Sequence, residues 1–208
     1  MGYTHYWYRP KTIEQEKFRA IVNDFNKVLP KLNEHLDLAD GRGEGKPIIN
    51  YNEVVFNGRE RCGHEQPQLG ITWPAKGAGG VAVPYQEQAI DKERWFAGAQ
   101  LEKRRCGGDC SHETFAFERD MVLREWDTPQ KDGDEAGLYF VFCKTAFKPY
   151  DLAVITFLII AKHHLVDNIS VHSDGEDEHW FDGKMACQIY LGYGIDDAIV
   201  KGVLNCKS

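Results

Sequence analysis

Residues 152–161 read Leu-Ala-Val-Ile-Thr-Phe-Leu-Ile-Ile-Ala, and no other stretch constrains the fold as strongly. Pro149 suits a helix start, because the first turn makes no use of the N–H that proline lacks. A helix from there to about Leu165 is apolar nearly all round, through Leu152, Val154, Ile155, Phe157, Leu158, Ile159 and Ile160. Such a helix has to be covered on every side. The run is far short of the roughly 20 residues that cross a bilayer, so the cover comes from the rest of the chain. Extended segments flank it: Leu138 to Cys143 before, Ile169 to His172 after. The first is apolar at successive positions, which predicts a strand buried on both faces and central in its sheet. Residues 138–174 therefore read as a strand–helix–strand core unit. If its strands are parallel neighbours, the crossover is right-handed and both strand C-termini reach one edge.

The N-terminal third supplies a second layer. Thr12-Ile13-Glu14-Gln15 matches a capping box. Phe18, Ile21, Val22, Phe25, Val28, Leu29, Leu32 and Leu36 then recur at helical spacing, with Pro30 expected to kink or split the helix at Leu29. Short strands are predicted at 3–8, 47–50, 53–56, 95–105 and 112–119. In the first of these, His5-Tyr6-Trp7 reads as core. Cys106 to Ser111 forms a hairpin tip (106–111), and an irregular loop region spans about 59–94, including the Gly/Ala/Pro-rich 74–84. Ser173-Asp174-Gly175-Glu176 repeats the capping pattern before a helix carrying Trp180, Phe181, Met185 and Ile189 inward, with Gly192 and Gly194 as stop signals. The expected fold is α+β. It is a single domain over 1–208, with a mixed β-sheet, the 138–174 core unit and the N-terminal amphipathic helix packed on the sheet.

Charge narrows the function classes. Over 208 residues the formal net charge is −7, which argues against a general nucleic-acid binder. One small anion at a local basic site remains compatible with it. Lys103-Arg104-Arg105 is the basic cluster, and it reads as a solvated strand end. The N-terminus lacks a basic region followed by an apolar stretch, so the expected location is cytoplasmic, or the host cytoplasm for a viral protein. No membrane association is expected. Six cysteines in that compartment are free thiols or metal ligands rather than structural disulfides.

Two constellations carry chemistry. The strand-end edge gathers Lys144, Thr145, Lys148, Tyr150 and Asp151 from one strand end and His172, Ser173 and Asp174 from the other. Helix N-termini there offer amides to an anion. As a binding site, Thr145, Lys148, Tyr150, Asp151 and Ser173 would contact a nucleotide or phosphorylated metabolite. As a catalytic site, His172 or Asp174 would be the base and Lys144 would stabilise developing negative charge, giving a hydrolase or phosphoryl-transfer enzyme. Helix capping by Ser173 and dipole complementation by Asp151 explain two of these residues with no ligand at all. The second constellation is Cys62, His64, Cys106 and Cys110, a four-ligand set for a structural zinc in a protein with a structural or host-interaction role.

Several strings are distinctive: Thr4-His5-Tyr6-Trp7, Val55-Phe56-Asn57-Gly58, Cys62-Gly63-His64, Glu113-Thr114-Phe115, Cys143 to Asp151, Ser173-Asp174-Gly175 and Leu191-Gly192-Tyr193-Gly194. Together they resemble a family of uncharacterised proteins of bacterial, phage and other viral genomes. The resemblance implies an accessory role on mobile genetic elements and carries no catalytic residue. The leading expectation is a ligand-binding accessory protein of that type, with a small molecule as partner.

Overall fold

The computed structural model of the chain describes residues 3–62, 104 and 108–206. In chain order the described strands are β1 (Thr4–Arg9), β2 (Leu38–Ala39), β3 (Ile48–Ile49), β4 (Glu53–Gly58), β5 (Phe115–Glu118), β6 (Tyr139–Lys144), β7 (Ser170–Ser173), β8 (Ala198–Val200) and β9 (Val203–Asn205). The described α-helices are α1 (Gln15–Leu32), α2 (Asp151–Leu165) and α3 (Phe181–Leu191). The expected strand 95–105 apart from Arg104, most of the 59–94 loop, the 74–84 stretch and the tip residues 106–107 lie outside the described residues.

The α+β class is as expected, with two sheets rather than one. The larger runs β6-β1-β7-β9-β8. Every pairing in it is antiparallel, where a mixed sheet was expected. The strands of the 138–174 unit, β6 and β7, do run parallel, but β1 lies between them and pairs with both. They are not neighbours, yet their C-termini still reach one edge: Thr4 faces Lys144, and His5 faces both Cys143 and Ser173. In the smaller sheet β4 is central, joined by β2, β3 and β5.

Helix α2 explains why one segment can be apolar all round. Its residues from Asp151 to Ala161 are buried without a break. It lies against the larger sheet and is flanked by α1 and α3. Its Phe157 ring meets Phe25 of α1 and Phe115 and Phe117 of β5 at centroid distances of 5.1–5.2 Å. Trp7 of β1 touches the same two β5 rings, so both sheets share one core.

Local details depart from the sequence reading. Helix α1 starts at Gln15, and Glu14 at its N-cap makes no side-chain cap. Thr12 instead bridges to Asp120, a partner far along the chain that no local pattern reveals. Pro30 neither splits nor ends α1, which runs on to Leu32; in the last turn proline forfeits only one backbone bond. The second capping box forms three residues later than expected, between Glu176 and His179, because Ser173 is still in the sheet. It opens the 3-10 turn Asp177–Trp180, which leads into α3. Gly192 ends α3 at φ 87°, a left-handed value that glycine adopts without Cβ strain. Among the described residues no helix is long and apolar enough to cross a membrane.

Candidate functional site

Strand alternation divides the strand-end residues between two faces. Along β1, His5, Trp7 and Arg9 point to the helical side and are buried, while Thr4, Tyr6 and Tyr8 point to the other side. The same parity puts Cys143 of β6 and Val171 and Ser173 of β7 on the helical side. Phe140, Phe142, Lys144, Ser170 and His172 face away from the helices.

On the helical side the expected ligand-binding residues are engaged by partners within the protein. Asp151 opens α2 and is sealed from solvent. Its Oδ1 accepts from Thr145 Oγ1 at 2.7 Å and lies 2.7 Å from His5 Nε2. Its Oδ2 accepts from Arg104 Nε at 2.9 Å. Arg104 also donates to the His179 carbonyl at 3.0 Å, faces Asp182 at 3.5 Å and lies over the Phe147 ring. Burial pushes the Asp151 carboxyl up, but the Arg104 guanidinium and the His5 imidazole outweigh it and hold the group down at about 2.

This overturns two expectations. Arg104 is not a solvated strand end but a fully buried partner of Asp151. Thr145, Tyr150, Asp151 and Ser173 do not line an accessible anion site. Tyr150 donates to the Glu113 carbonyl, and Ser173 Oγ accepts from Gly175 N–H. Lys148 is spent on the Asp109 carbonyl. The first amides of α2 are occupied as well: Asp151, Leu152 and Ala153 donate back to Lys148, Pro149 and Tyr150. The chain passes under the sheet immediately after Lys144, and that turn takes the whole set out of water. Ala146 and Phe147, both at positive φ, form it.

The other face is uncovered by the helices among the described residues. Its side chains stand in register across the strands. One row is Lys144–Thr4, with Asp174 flanking Thr4 through its N–H to the Thr4 carbonyl. The next is Phe142–Tyr6–His172–Val203. The third is Phe140–Tyr8–Ser170. Phe140 is 47% exposed and Phe142 53%. The Tyr6 and His172 rings stack 5.0 Å apart at 13°, and Phe140 lies 5.4 Å from Tyr8 and 5.8 Å from Phe142. On the β7 side of the two aromatic rows Glu135 accepts from Ser170 Oγ and lies 3.2 Å from His172 Nε2. Burial, then the charge of Glu135, raises the Tyr8 hydroxyl pKa.

Of the three residues expected as catalytic, Lys144 and His172 project on this face and Asp174 is exposed just beyond the end of β7, but they do not converge. Lys144 and Asp174 sit on opposite sides of β1, roughly 10 Å apart at strand spacing, and His172 lies a further row away. Ser170 and Glu135 both approach the same imidazole nitrogen, Nε2. A nucleophile–base–acid relay needs them on different nitrogens. The geometry does not support the catalytic reading.

The residues that sequence reasoning missed are Tyr6, Tyr8, Phe140, Phe142 and Glu135. The signal for two of them was present and misread. Segment 139–143 is apolar at both parities, yet among the described residues β6 is an edge strand whose Phe140 and Phe142 are exposed. Of the zinc set, His64 and Cys106 lie outside the described residues, while Cys110 is buried and Cys62 half-buried. Among the described residues no group of three or more His, Cys, Asp or Glu side chains is arranged to hold a metal ion. In comparisons with known proteins, no family model, curated protein or solved structure matches the chain.

Proposed function

We propose that the protein binds a nucleotide-type ligand on the open face of its larger sheet. A planar heteroaromatic ring would stack on the aromatic rows, and its negative charge would meet Lys144. The supporting observation is the aromatic face itself. Tyr6, Tyr8, Phe140, Phe142 and His172 form one contiguous ring surface, and the two Phe rings are about half exposed. A single exposed aromatic needs no explanation, but a contiguous patch of them does. Leaving half of a phenylalanine in water forgoes roughly 1 kcal/mol of burial per ring. Flat π-faces are what stacking with a base requires, and they tolerate any base.

Lys144 complements the patch. Among the described residues its ammonium has no ion pair or hydrogen bond. Thr4 beside it offers a hydroxyl. The net charge of −7 favours a ligand with few phosphates over a long polyanion.

Calorimetric titration of the full chain with nucleoside monophosphates and short oligonucleotides tests the reading. Saturable binding is expected, weakened about tenfold or more in Tyr6→Ala and in Phe142→Ala. Absence of binding across the whole panel at millimolar ligand would contradict it.

A further inference from the structure

We infer that two copies of this chain join strand to strand along the β6 edge, about a two-fold axis at Val141. Among the described residues β6 is an edge of the larger sheet, with β1 as its strand partner. In an antiparallel ladder the backbone groups of successive residues point alternately toward a neighbour and away from it. Lys144 fixes that phase. Its N–H donates to the Glu113 carboxylate and its carbonyl accepts from Glu113 N–H, so both point away from β1. Its register partner Thr4 agrees, because the Thr4 carbonyl accepts from Asp174 N–H on the opposite side. Leu138 has the same parity, and its carbonyl accepts from Gln130 N–H. The N–H and C=O groups of Phe140 and Phe142 must therefore point outward too. Among the described residues these four groups have no backbone partner.

The free groups select both the partner and the register. An antiparallel copy with Phe140 opposite the partner's Phe142 forms four hydrogen bonds and uses every free group on both strands. A shift by two residues either way sets Phe140 or Phe142 against the partner's Leu138 or the partner's Lys144, where Gln130 and Glu113 already hold the backbone. The edge is thus self-complementary, as a two-fold interface has to be. Side chains and charge agree with it. From Tyr139 to Cys143 the edge carries no charge and no proline, the usual means of keeping sheet edges apart. Each half-exposed Phe would lie beside a Phe of the partner, an aromatic cross-strand pair. The turn before β6 exposes Asp132 and Asp134, and antiparallel pairing brings it to the end of the seam where the partner's Lys144 stands. The contact runs along the edge, so it leaves the aromatic face uncovered and makes it continuous across two copies. It does not depend on what that face binds.

Sedimentation of the full chain from about 1 to 500 μM is the first test, and a reversible monomer–dimer equilibrium in the micromolar range is expected. Phe140→Pro removes only an outward N–H, which an edge strand tolerates, so the monomer should keep its thermal stability. Its dimer should weaken about tenfold or more, for two hydrogen bonds lost across the two-fold axis. Phe140→Ala keeps the N–H and should weaken the dimer less. Val141→Cys places two thiols at a Cα spacing of about 4.5 Å, within disulfide range. Treated with diamide, that variant should cross-link to itself at position 141, and more readily than Phe140→Cys or Phe142→Cys does at its own position.

A chain that stays monomeric across the range would overturn the inference. Hydrogen exchange then assigns the edge: slow amides at Phe140 and Phe142 mean that it is closed within the chain, and fast ones that it is left for another partner. A dimer that survives Phe140→Pro and gives no cross-link at position 141 would overturn it as well, by placing the contact elsewhere. Should Phe140→Pro not fold, the cross-linking pattern decides alone. None of these outcomes bears on nucleotide binding, which its own titration tests.

Discussion

The two faces of the larger sheet carry the same kinds of residue and use them in opposite ways. On the helical side a histidine, two aspartates, a threonine and an arginine pair with one another out of water, and Trp7 fills the core they border. On the other side a histidine, a lysine and four aromatic rings stand in register beside a glutamate, and the two Phe rings are about half exposed. Along β1, His5 and Trp7 of the first set alternate with Tyr6 and Tyr8 of the second. Polar chemistry at a strand end is thus no guide to function until its face is known. The residues that look most like a site, Asp151 and Ser173, belong to the interior.

The contrast can be broken most directly at neighbouring positions of β1. Trp7 is 0% exposed, and Trp7→Ala should cost about 3–5 kcal/mol in urea unfolding. Tyr6→Ala, one residue away, should cost about 1 kcal/mol or less while weakening nucleotide binding. Equal costs would mean that the open face is structural.

The buried ion cluster gives an effect of similar size. Asp151→Ala strands the Arg104 guanidinium without its main partner, and about 3–5 kcal/mol should be lost. Ligand affinity of the folded fraction should be unchanged, because the cluster is on the other side of the sheet.

A smaller effect follows from pH. The Asp151 carboxyl is held at about 2 in the fold, below its ordinary value of 3.8. A depressed carboxylate contributes stability that is fully present above the unfolded pKa and lost as pH falls through the folded one. Unfolding free energy should therefore fall between pH 4 and pH 2, and Asp151→Asn should flatten the curve in that window. An unchanged slope in the variant would mean that other carboxylates govern acid unfolding.

What was legible in the sequence follows from range. Helix α2 declared itself because ten successive residues need cover from all sides, and Gly192 marked the end of α3 because left-handed backbone selects glycine. Helix α1 was visible in its stripe, but its start was not, since Thr12 bonds across the chain to Asp120. The edge shared by β6 and β7 followed from their direction, although β1 between them did not. Strand β6 misled for a physical reason: apolar residues at both parities describe a strand buried on both faces and equally one whose second face awaits a partner. Arg104 misled for another, since a charge run says nothing about a carboxylate 47 residues away.

The most direct test is nuclear magnetic resonance of the full chain titrated with a 5′-phosphorylated dinucleotide. Side-chain signals of Tyr6, Tyr8, Phe140, Phe142 and His172 should shift together and saturate at one ligand per chain, while those of Thr145, Asp151 and Ser173 stay in place. Shifts centred on Thr145, Asp151 and Ser173, or no shift on the open face at saturating ligand, would contradict the assignment of that face as the binding surface.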